Sequence, residues 1–212
     1  MVDHTHAPRR RLSAADRRAA ILESALVVFS EEGFDRAALD DVAARGGISK
    51  ALIYEHFSSK RELQLAVLDT YVHELVGSVV AAIASADSDE ERLRLGIDAF
   101  LGFAEGRPAV LGLLTRNVAD PVAGELLDRL REEAAGTIAT VMAANAPPPQ
   151  EGDLDLETTV AILAHLLAGG IQFMAGWWME HPDASREAAV EVAMDLYWVG
   201  LERLGAGERW RR

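Results

Sequence analysis

The chain contains no cysteine, and this absence removes several classes of chemistry at once. Disulfide bonds, thiolate metal sites and cysteine nucleophiles all need that side chain. Runs of alternating Val, Ile, Thr and aromatic residues, which are typical of β-strands, are also missing. Half of the 212 residues are nevertheless hydrophobic, so the sequence has a globular composition and enough length for a sizeable core.

Signatures of catalysis and metal binding are missing as well. The chain has no phosphate-binding glycine loop and no dinucleotide-binding fingerprint, and the pair His73 and Glu74 lacks the second histidine of a zinc protease motif. His4 and His6 lie in an arm that we expect to be flexible. The sequence therefore predicts no enzyme activity, no cofactor and no bound metal. An active site assembled from distant residues across a helical bundle stays open as an alternative.

One uncharged segment raises the question of a membrane. No apolar stretch of the signal-peptide type follows the basic N-terminus, so a cytoplasmic location is expected. Residues 158–179 contain no charged side chain and are long enough to span a bilayer. They do contain His165, Gln172 and several glycines, and they lack flanking Lys or Arg anchors. We interpret them as a helix buried inside a domain and a subunit interface, with no membrane contact.

Negative charge is abundant but unevenly distributed. The net charge is −13, yet residues 1–61 hold ten Lys and Arg against nine Asp and Glu. The rest of the chain holds 11 basic against 25 acidic residues, a net charge of −14. An acidic body would repel nucleic acid and leave only the N-terminal part able to approach it. The simpler alternative is that the acidic residues keep the protein dispersed.

Nearly all of the sequence predicts helices, so the fold class is all-α. Ser13 with Asp16, and Ser59 with Glu62, have the spacing of N-terminal capping boxes, and Gly33 is a natural helix end. The domain boundary should fall inside the helix that starts at Ser59. We predict a flexible basic arm at 1–12, a three-helix domain at 13–60, a helical bundle at 61–206, and a tail at 207–212.

The most informative stretch runs from Gly33 to Leu63. Two short helices, at about 38–45 and from Ser49 to about Phe57, are joined by a glycine-containing turn, which is the outline of a helix-turn-helix. Helices in the second position place their N-terminal residues against base edges in the major groove. The free side of this helix carries Lys50, Ala51, Leu52, Tyr54 and His56.

Several of these side chains suit contacts to DNA. Lys50 can donate to guanine or to a phosphate, and the hydroxyl of Tyr54 suits a phosphate oxygen. The helix that begins at Ser59 and Lys60 offers free N–H groups and a positive dipole end to another phosphate. The ring of His56 could equally pack inside the domain.

At these residues the sequence resembles the TetR family of transcriptional regulators. The run from Gly47 to Leu63 resembles that family's recognition helix and the start of its fourth helix, and Gly33-Phe34 and Asp41-Val42-Ala43 match the preceding segment. The resemblance implies a homodimeric regulator, usually a repressor, that a small-molecule ligand releases from a palindromic double-stranded DNA operator. It implies that 13–60 is a helix-turn-helix DNA-binding domain and that 61–206 is a ligand-binding and dimerisation domain. It implies DNA contacts from Arg45, Ser49, Lys50, Ala51, Leu52, Tyr54, His56, Ser59 and Lys60.

Three features depart from the family pattern. Small hydroxyl residues usually precede the second helix, where one caps it, but Ala37 and Ala38 occupy those positions. A lost cap typically costs about 1 kcal/mol, and Asp35 could partly replace it. Leu52 stands where Thr is common, and Asp40 places negative charge near the DNA. A helical small-molecule-binding protein without specific DNA binding is therefore the alternative function.

Two helices near the C-terminus have the composition of a subunit interface. Small residues in the uncharged helix would let backbones approach closely, and the last helix carries an apolar stripe, so two copies could form a four-helix interface. The alternative is that these faces pack within one subunit. The interface candidates are Ala161, Ala164, Ala168, Gly169, Val192, Leu196 and Val199.

A ligand pocket is expected in the same C-terminal region, because ligand sites combine apolar walls with a few polar groups. Gln172 and His165 are the stronger candidates, since a buried polar side chain needs a partner. The expected ligand is an apolar or amphipathic small molecule. The full set of candidates is Phe100, Phe103, Asn117, His165, Gln172, Phe173 and Trp177.

Overall fold

A computed structural model describes residues 13–115, 121–145 and 154–206, and the predicted arm and tail lie outside these ranges. The described residues form helices and no strands, which confirms the all-α fold class. The helices are α1 (Ala14–Glu32), α2 (Leu39–Gly46), α3 (Lys50–His56), α4 (Lys60–Ala84), α5 (Asp89–Gly106), α6 (Pro108–Thr115), α7 (Pro121–Asn145), α8 (Leu156–Met179) and α9 (Arg186–Gly205).

The N-terminal domain is built on α1. Ser13 and Asp16 form the predicted capping box, with the Asp16 N–H donating to the Ser13 hydroxyl over 3.0 Å and the Ser13 N–H donating to the Asp16 carboxylate over 3.1 Å. The helix ends at Gly33, whose φ of 83° is one that glycine adopts without a side-chain clash. Phe29 is fully buried and its ring centroid lies 5.3 Å from that of Phe34, so aromatic side chains fill the centre of the domain.

The turn between α2 and α3 fixes the orientation of the second short helix. Gly47 has a φ of 60°, and its N–H donates to the last carbonyls of α2. The N–H of Ile48 then donates to the carbonyl of Ala43 over 3.0 Å. Ser49 caps α3 by accepting from the N–H of Leu52 over 3.1 Å. Ile53 and Phe57 are buried, so one side of α3 is held against the domain core and the other side faces outward.

Two predicted caps differ from the structure. Ala38 caps α2 without any side-chain hydrogen bond, so the expected substitution by Asp35 is wrong. The carbonyl of Asp35 instead accepts from the ammonium of Lys60 over 3.1 Å. At α4, Ser59 accepts from the N–H of Glu62 over 3.1 Å as expected. The Glu62 carboxylate, however, accepts from the N–H of Ser58 rather than Ser59, so the reciprocal half of the box is displaced by one residue.

Helix α4 belongs to both parts of the molecule. Its N-terminal half buries Leu63, Val67 and Leu68 in a cluster shared with α1, α6 and α7. Its C-terminal half packs against α5 and α7. A second cluster joins α5, α8 and α9 around Leu101 and Ala175, both fully buried. Helix α4 is thus continuous from Lys60 to Ala84 and takes part in the packing of both regions.

Among the helices that the structure describes, α4 and α8 are long and apolar enough to cross a membrane by length and composition. The first of them lies between α1, α5 and α7, as the core helix of a globular protein does. The second packs against α7 and α6 and keeps one apolar face uncovered. That uncovered face is described with the candidate sites below.

Candidate DNA-binding surface and ligand cavity

Helix α3 presents the predicted recognition surface. Ser49, Lys50, Ala51 and Tyr54 are exposed, and the side chain of Tyr54 has no packing role within the domain core. Leu52 differs from the prediction, because it is half-buried and packs against the core formed by α1 and its neighbours. The surface open to a DNA groove is therefore narrower than the predicted set, and it centres on Lys50, Ala51 and Tyr54.

The cations beside α3 already have acceptors within the domain. The ammonium of Lys50 lies 2.9 Å from the carboxylate of Asp40, at the first turn of α2. The hydrogen bond and the charge of Asp40 raise the pKa of Lys50 above its usual range. Arg45, at the end of α2, pairs with Glu31 of α1 over 3.2 Å. DNA phosphates would have to compete with these carboxylates for both side chains.

Residues at the start of α4 are part structural and part accessible. Lys60 and Ser59 are half-buried. The Lys60 ammonium donates to the Asp35 carbonyl, just after α1, while the Ser59 hydroxyl accepts from the N–H of Glu62 and caps α4 itself. His56 is half-buried at the end of α3, so the structure places its ring partly inside the domain. The neighbouring Phe57 is buried, with the guanidinium of Arg18 5.0 Å from its ring centroid.

A network of polar side chains connects α1 with α4 and with the turn before α6. Arg107 donates to Glu23 of α1 and to Glu74 of α4, each over 3.1 Å. The hydroxyl of Tyr71 donates to the same Glu23 carboxylate over 2.8 Å. Burial, followed by this contact with Glu23, raises the pKa of Tyr71, so the hydroxyl keeps its proton. Sequence reasoning missed this junction, because its members lie far apart in the chain and follow no motif.

The body contains a cavity of about 890 Å³ between α4, α5, α7, α8 and α9. Its volume lies within the range of sites that hold drug-sized ligands. Val72, Val79, Ile97 and Ile138 are among its apolar walls. It runs beside α8 from Leu156 to Gln172, a distance of roughly 24 Å at the helical rise per residue. The cavity is thus long as well as apolar.

The inner end of the cavity has a polar group that reaches α6. Gln172 donates to the carbonyl of Leu114, in the last turn of α6, over 3.0 Å. Arg131 donates to the same carbonyl over 2.7 Å, and its other nitrogen pairs with Asp128 over 3.0 Å. Both Gln172 and Arg131 line the cavity. Gln172 was predicted to face a ligand, whereas Arg131 and its shared acceptor were not, since only the fold brings α6 and α7 together here.

The other end of the cavity lies where α5 and α8 begin and α9 ends. Arg92, paired with Asp89, lines this end together with Thr159 and Glu202. Charged and polar groups therefore stand at both ends of the cavity, with apolar side chains between them. A ligand with a long apolar part and a polar group matches this distribution.

The predicted ligand residues divide between the cavity and other places. Phe100, His165 and Gln172 line the cavity. Phe103 is half-buried against the cluster around α1 and α4 and is not among the lining residues. His165 is exposed, and its ring nitrogens lie 2.7 Å from the carbonyl of Ala161 and 3.2 Å from the carboxylate of Glu132, contacts that raise its pKa. Asn117 lies outside the described residues.

Phe173 and Trp177 are not cavity residues, which corrects the prediction. Phe173 is 85% exposed, and the ring of Trp177 stacks on that of His181 with centroids 4.0 Å apart. Both follow Ile162 and Leu166 at helical spacing on one face of α8. This outer face is apolar, and none of the described residues of the subunit covers it. The sequence prediction placed these aromatic residues in the pocket because periodicity alone does not show which apolar face of α8 lines the cavity and which lies on the outer surface.

The last helix adds a second uncovered apolar stripe next to the first. Val192, Leu196 and Val199 are exposed, with Leu196 at 70%. Helix α9 lies against α8 closely enough that the Tyr197 hydroxyl occupies the place of a side chain at Gly170, 1.9 Å from where a Cβ would be. We name the exposed stripes of α8 and α9 together the outer apolar face; its members are Ile162, Leu166, Phe173, Trp177, Val192, Leu196 and Val199.

The small residues predicted for the interface are divided between the inner and the outer side of α8. Ala164 is fully buried within the subunit, and Ala168 and Gly169 border the cavity. Ala161 is half-buried next to His165. The prediction that α8 has both a subunit-internal side and an outward side is consistent with these positions, but the large side chains carry the outward side. Within 13–115, 121–145 and 154–206, no group of three or more His, Asp or Glu side chains is placed to hold a metal ion.

Comparison with known proteins agrees with this arrangement. Residues 21–67 match the family model described as bacterial regulatory proteins of the tetR family. The chain is 29% identical over 196 residues to the HTH-type transcriptional activator FasR of Mycolicibacterium smegmatis, covering 92% of this chain and 87% of that protein. It is 28% identical over 169 residues to the HTH-type transcriptional regulator EthR of the same species, covering 75% and 78%.

Solved structures share the fold over nearly the whole chain. A TetR-like transcriptional regulator from Rhodococcus sp. RHA1 has a TM-score of 0.72 at 23% identity, covering 91% of this chain and 99% of that one. The regulator FadR from Bacillus subtilis, in complex with stearoyl-CoA, has a TM-score of 0.68 at 16% identity, covering 90% and 99%. At these identities the likeness concerns the fold.

Proposed function

Since this chain belongs to the TetR family of bacterial regulatory proteins, we propose that it acts as a cytoplasmic homodimer that binds a palindromic DNA operator and leaves it when a ligand fills the body. The observation that carries this proposal is the continuous connection from the cavity to α3. One helix, α4, lines the cavity at Val72 and Val79 and anchors the helix-turn-helix at Leu63.

The DNA side of the proposal rests on the exposed surface of α3. The exposed residues Lys50, Ala51 and Tyr54 enter the major groove, Lys50 donating to a base or phosphate and Tyr54 to a phosphate oxygen. Ser59 and Lys60 present the N-terminus of α4 to the adjacent backbone. Arg45 and His56 lie at the margins of this surface, where they supply backbone contacts once Arg45 leaves Glu31.

The dimer rests on the outer apolar face. Seven large apolar side chains exposed on two adjacent helices form a patch that monomeric proteins rarely leave uncovered. A two-fold axis through it would produce a four-helix interface from two copies of α8 and α9. The two α3 helices would then read half-sites about 34–36 Å apart, one turn of DNA.

The ligand in this proposal is amphipathic, with a long apolar part. The cavity is elongated and apolar with polar groups at both ends, and the stearoyl-CoA in the FadR complex is a molecule of that class. A polar group at the inner end would compete with the Leu114 carbonyl for Gln172 and Arg131. Helix α6 would then shift against α1, with which it packs, and the Arg107 junction would pass the shift to α4.

Selection of DNA from a random pool, followed by titration of the selected site at fixed salt, tests the DNA side. We expect a palindrome, and we expect Tyr54→Ala and Lys60→Ala to weaken its binding at least about tenfold. His73→Ala, an exposed position on α4 away from α3, serves as the control and should leave binding unchanged. If the folded dimer enriches no sequence, the alternative of a helical ligand-binding protein replaces the regulator.

Stearoyl-CoA and a fluorescent long-chain fatty acid serve as ligand probes with the selected operator. Binding of a probe to the free protein, with loss of operator binding at matching concentrations, is the expected result. A probe that binds without changing operator affinity would refute ligand release. A reporter gene under the operator then separates repression from activation, the activity stated in the name of FasR.

A further inference from the structure

The ion pair between α2 and α3 lies on the solvent-exposed side of the DNA-binding domain. The Lys50 ammonium, on the first residue of α3, lies 2.9 Å from the Asp40 carboxylate in the first turn of α2. The two side chains keep 45% and 71% of their surface exposed to solvent. Exposed pairs of this kind contribute little to folding stability. A role for the pair in binding at this surface is therefore worth considering, because its contribution to folding is small.

Asp40 is not required to complete α2. Asp41 follows it in the same turn and also complements the positive end of the helix, and its carboxylate forms no ion pair among the described residues. The two carboxylates thus share the same helix turn and charge, but only one of them holds a cation of the recognition helix. Asp41 offers a matched comparison for whatever Asp40 does.

The described residues of the DNA-binding domain have no excess of positive charge. Residues 13–61 contain seven Lys and Arg and eight Asp and Glu. Two of the cations nearest to α3, Lys50 and Arg45, are paired with carboxylates, and Lys60 with a carbonyl. Sequence-independent binding to DNA depends on cations that neutralise phosphates and release counterions. A paired Lys50 contributes less to that binding than a free one.

We propose that Asp40 determines DNA specificity by holding Lys50. In encounters with random DNA the carboxylate screens the ammonium and repels phosphates, so binding is weak. At the operator the ammonium can keep its bond to Asp40 and still donate twice, because it has three N–H donors. Guanine O6 and N7 in the major groove are the acceptors that lysine recognises. The inference rests on the proposed regulator function and concerns how its surface discriminates among sequences.

The test compares Asp40→Asn with Asp41→Asn, each measured on the selected operator and on a random duplex of equal length over a range of salt. Both variants remove one negative charge from the same helix turn. For Asp40→Asn we expect binding to the random duplex to strengthen about tenfold, and the slope of log affinity against log salt to steepen by about one, as for one further phosphate contact. The ratio of operator to random affinity should fall about tenfold. For Asp41→Asn we expect neither the slope nor the ratio to change.

A second pair of variants shows whether Asp40 acts through Lys50. In a Lys50→Met background, Asp40→Asn should change the slope and the ratio no more than Asp41→Asn does. Equal effects of Asp40→Asn and Asp41→Asn in the parent protein would overturn the proposal, since charge alone would then explain them. So would an unchanged ratio for Asp40→Asn. Thermal unfolding of each variant shows that the fold is intact.

Failure of the proposed function is distinguishable from failure of this inference. If the parent protein selects no operator, the regulator itself is refuted, and the specificity role of Asp40 with it. If an operator is selected and the Asp40→Asn ratio stays at the parent value, only the role of Asp40 fails.

Discussion

In the N-terminal domain, α1, α2 and α3 close around Phe29, Ile53 and Phe57 and leave almost no apolar side chain unused. In the body, longer helices of similar composition surround a cavity of about 890 Å³ and expose Phe173 and Leu196 on the outside. The difference shows that apolar content alone does not indicate a filled core. The apolar side chains of the first region pack into a filled core. Those of the second region leave two apolar surfaces without a packing partner among the described residues, the cavity walls and the outer apolar face.

The outer apolar face offers the largest expected effect. Leu196→Asp places a charge where two subunits would meet, so we expect a monomer in sedimentation experiments and a loss of operator affinity of at least about 100-fold, because the two α3 helices no longer bind together. Ala81→Asp, at an exposed position of α4, adds the same charge elsewhere and should preserve the dimer. A Leu196→Asp protein that stays dimeric would show that this face is covered in some other way.

The cavity offers the next effect and compares the two regions directly. Val79→Trp adds volume beside the cavity, so we expect an unfolding free energy within about 1 kcal/mol of the parent and loss of probe binding. Ala25→Trp adds similar volume to the filled domain, where Ala25 is fully buried, and should lower the unfolding free energy by about 1–3 kcal/mol or more. Chemical denaturation measures both. Equal costs would mean that the body has no usable space.

The junction between the regions gives a smaller effect. Arg107→Gln removes the charge that joins Glu23 and Glu74, so we expect operator binding to persist while the concentration of ligand needed for release rises about fivefold or more. Arg94→Gln removes a comparable ion pair, with Glu191, that lies within the body. It should leave release unchanged. If the two variants respond alike, the Arg107 junction carries no specific coupling.

The smallest effect concerns the uncapped helix of the DNA-binding domain. Ala38→Ser supplies the hydroxyl that α2 lacks and should raise the unfolding free energy by about 1 kcal/mol in chemical denaturation. Ala37→Ser is the contrasting variant, because Ala37 is buried and a hydroxyl there would be placed against apolar side chains. It should destabilise the protein, and stabilisation by both would show that the helix end is arranged differently.

Local patterns predicted the helices well, because caps and glycines act within a few residues. Ser13 with Asp16, and the turn at Gly47, signal helix ends in the sequence and have that role in the structure. The exposure of Lys50, Ala51 and Tyr54 on α3 also followed from local spacing, whereas the partial burial of Leu52 depends on how α3 packs against the core of the domain.

The body was harder to predict, since its sites depend on which face of a helix meets which neighbour. Phe173 and Gln172 are adjacent in the chain, yet one faces outward and the other reaches Leu114 beside the cavity. An uncharged helix such as α8 has apolar residues on all sides, so periodicity cannot separate those faces. Arg131 and Arg107 were missed because their acceptors lie on helices that only tertiary packing brings near.

The passage of α4 through both regions limits how such a protein could be re-engineered as a sensor. A single packed cluster extends from Ile21 in α1 through Leu63 in α4 to Leu130 in α7. A chimera that joins this body to the DNA-binding domain of another protein would therefore disrupt a packed core, since no flexible linker separates the two regions at α4. The exposed side of α3 can be changed without disturbing that core, because Ala51 and Tyr54 lie outside the cluster. A new DNA specificity is therefore better introduced by substituting a few side chains on α3 than by exchanging the whole domain.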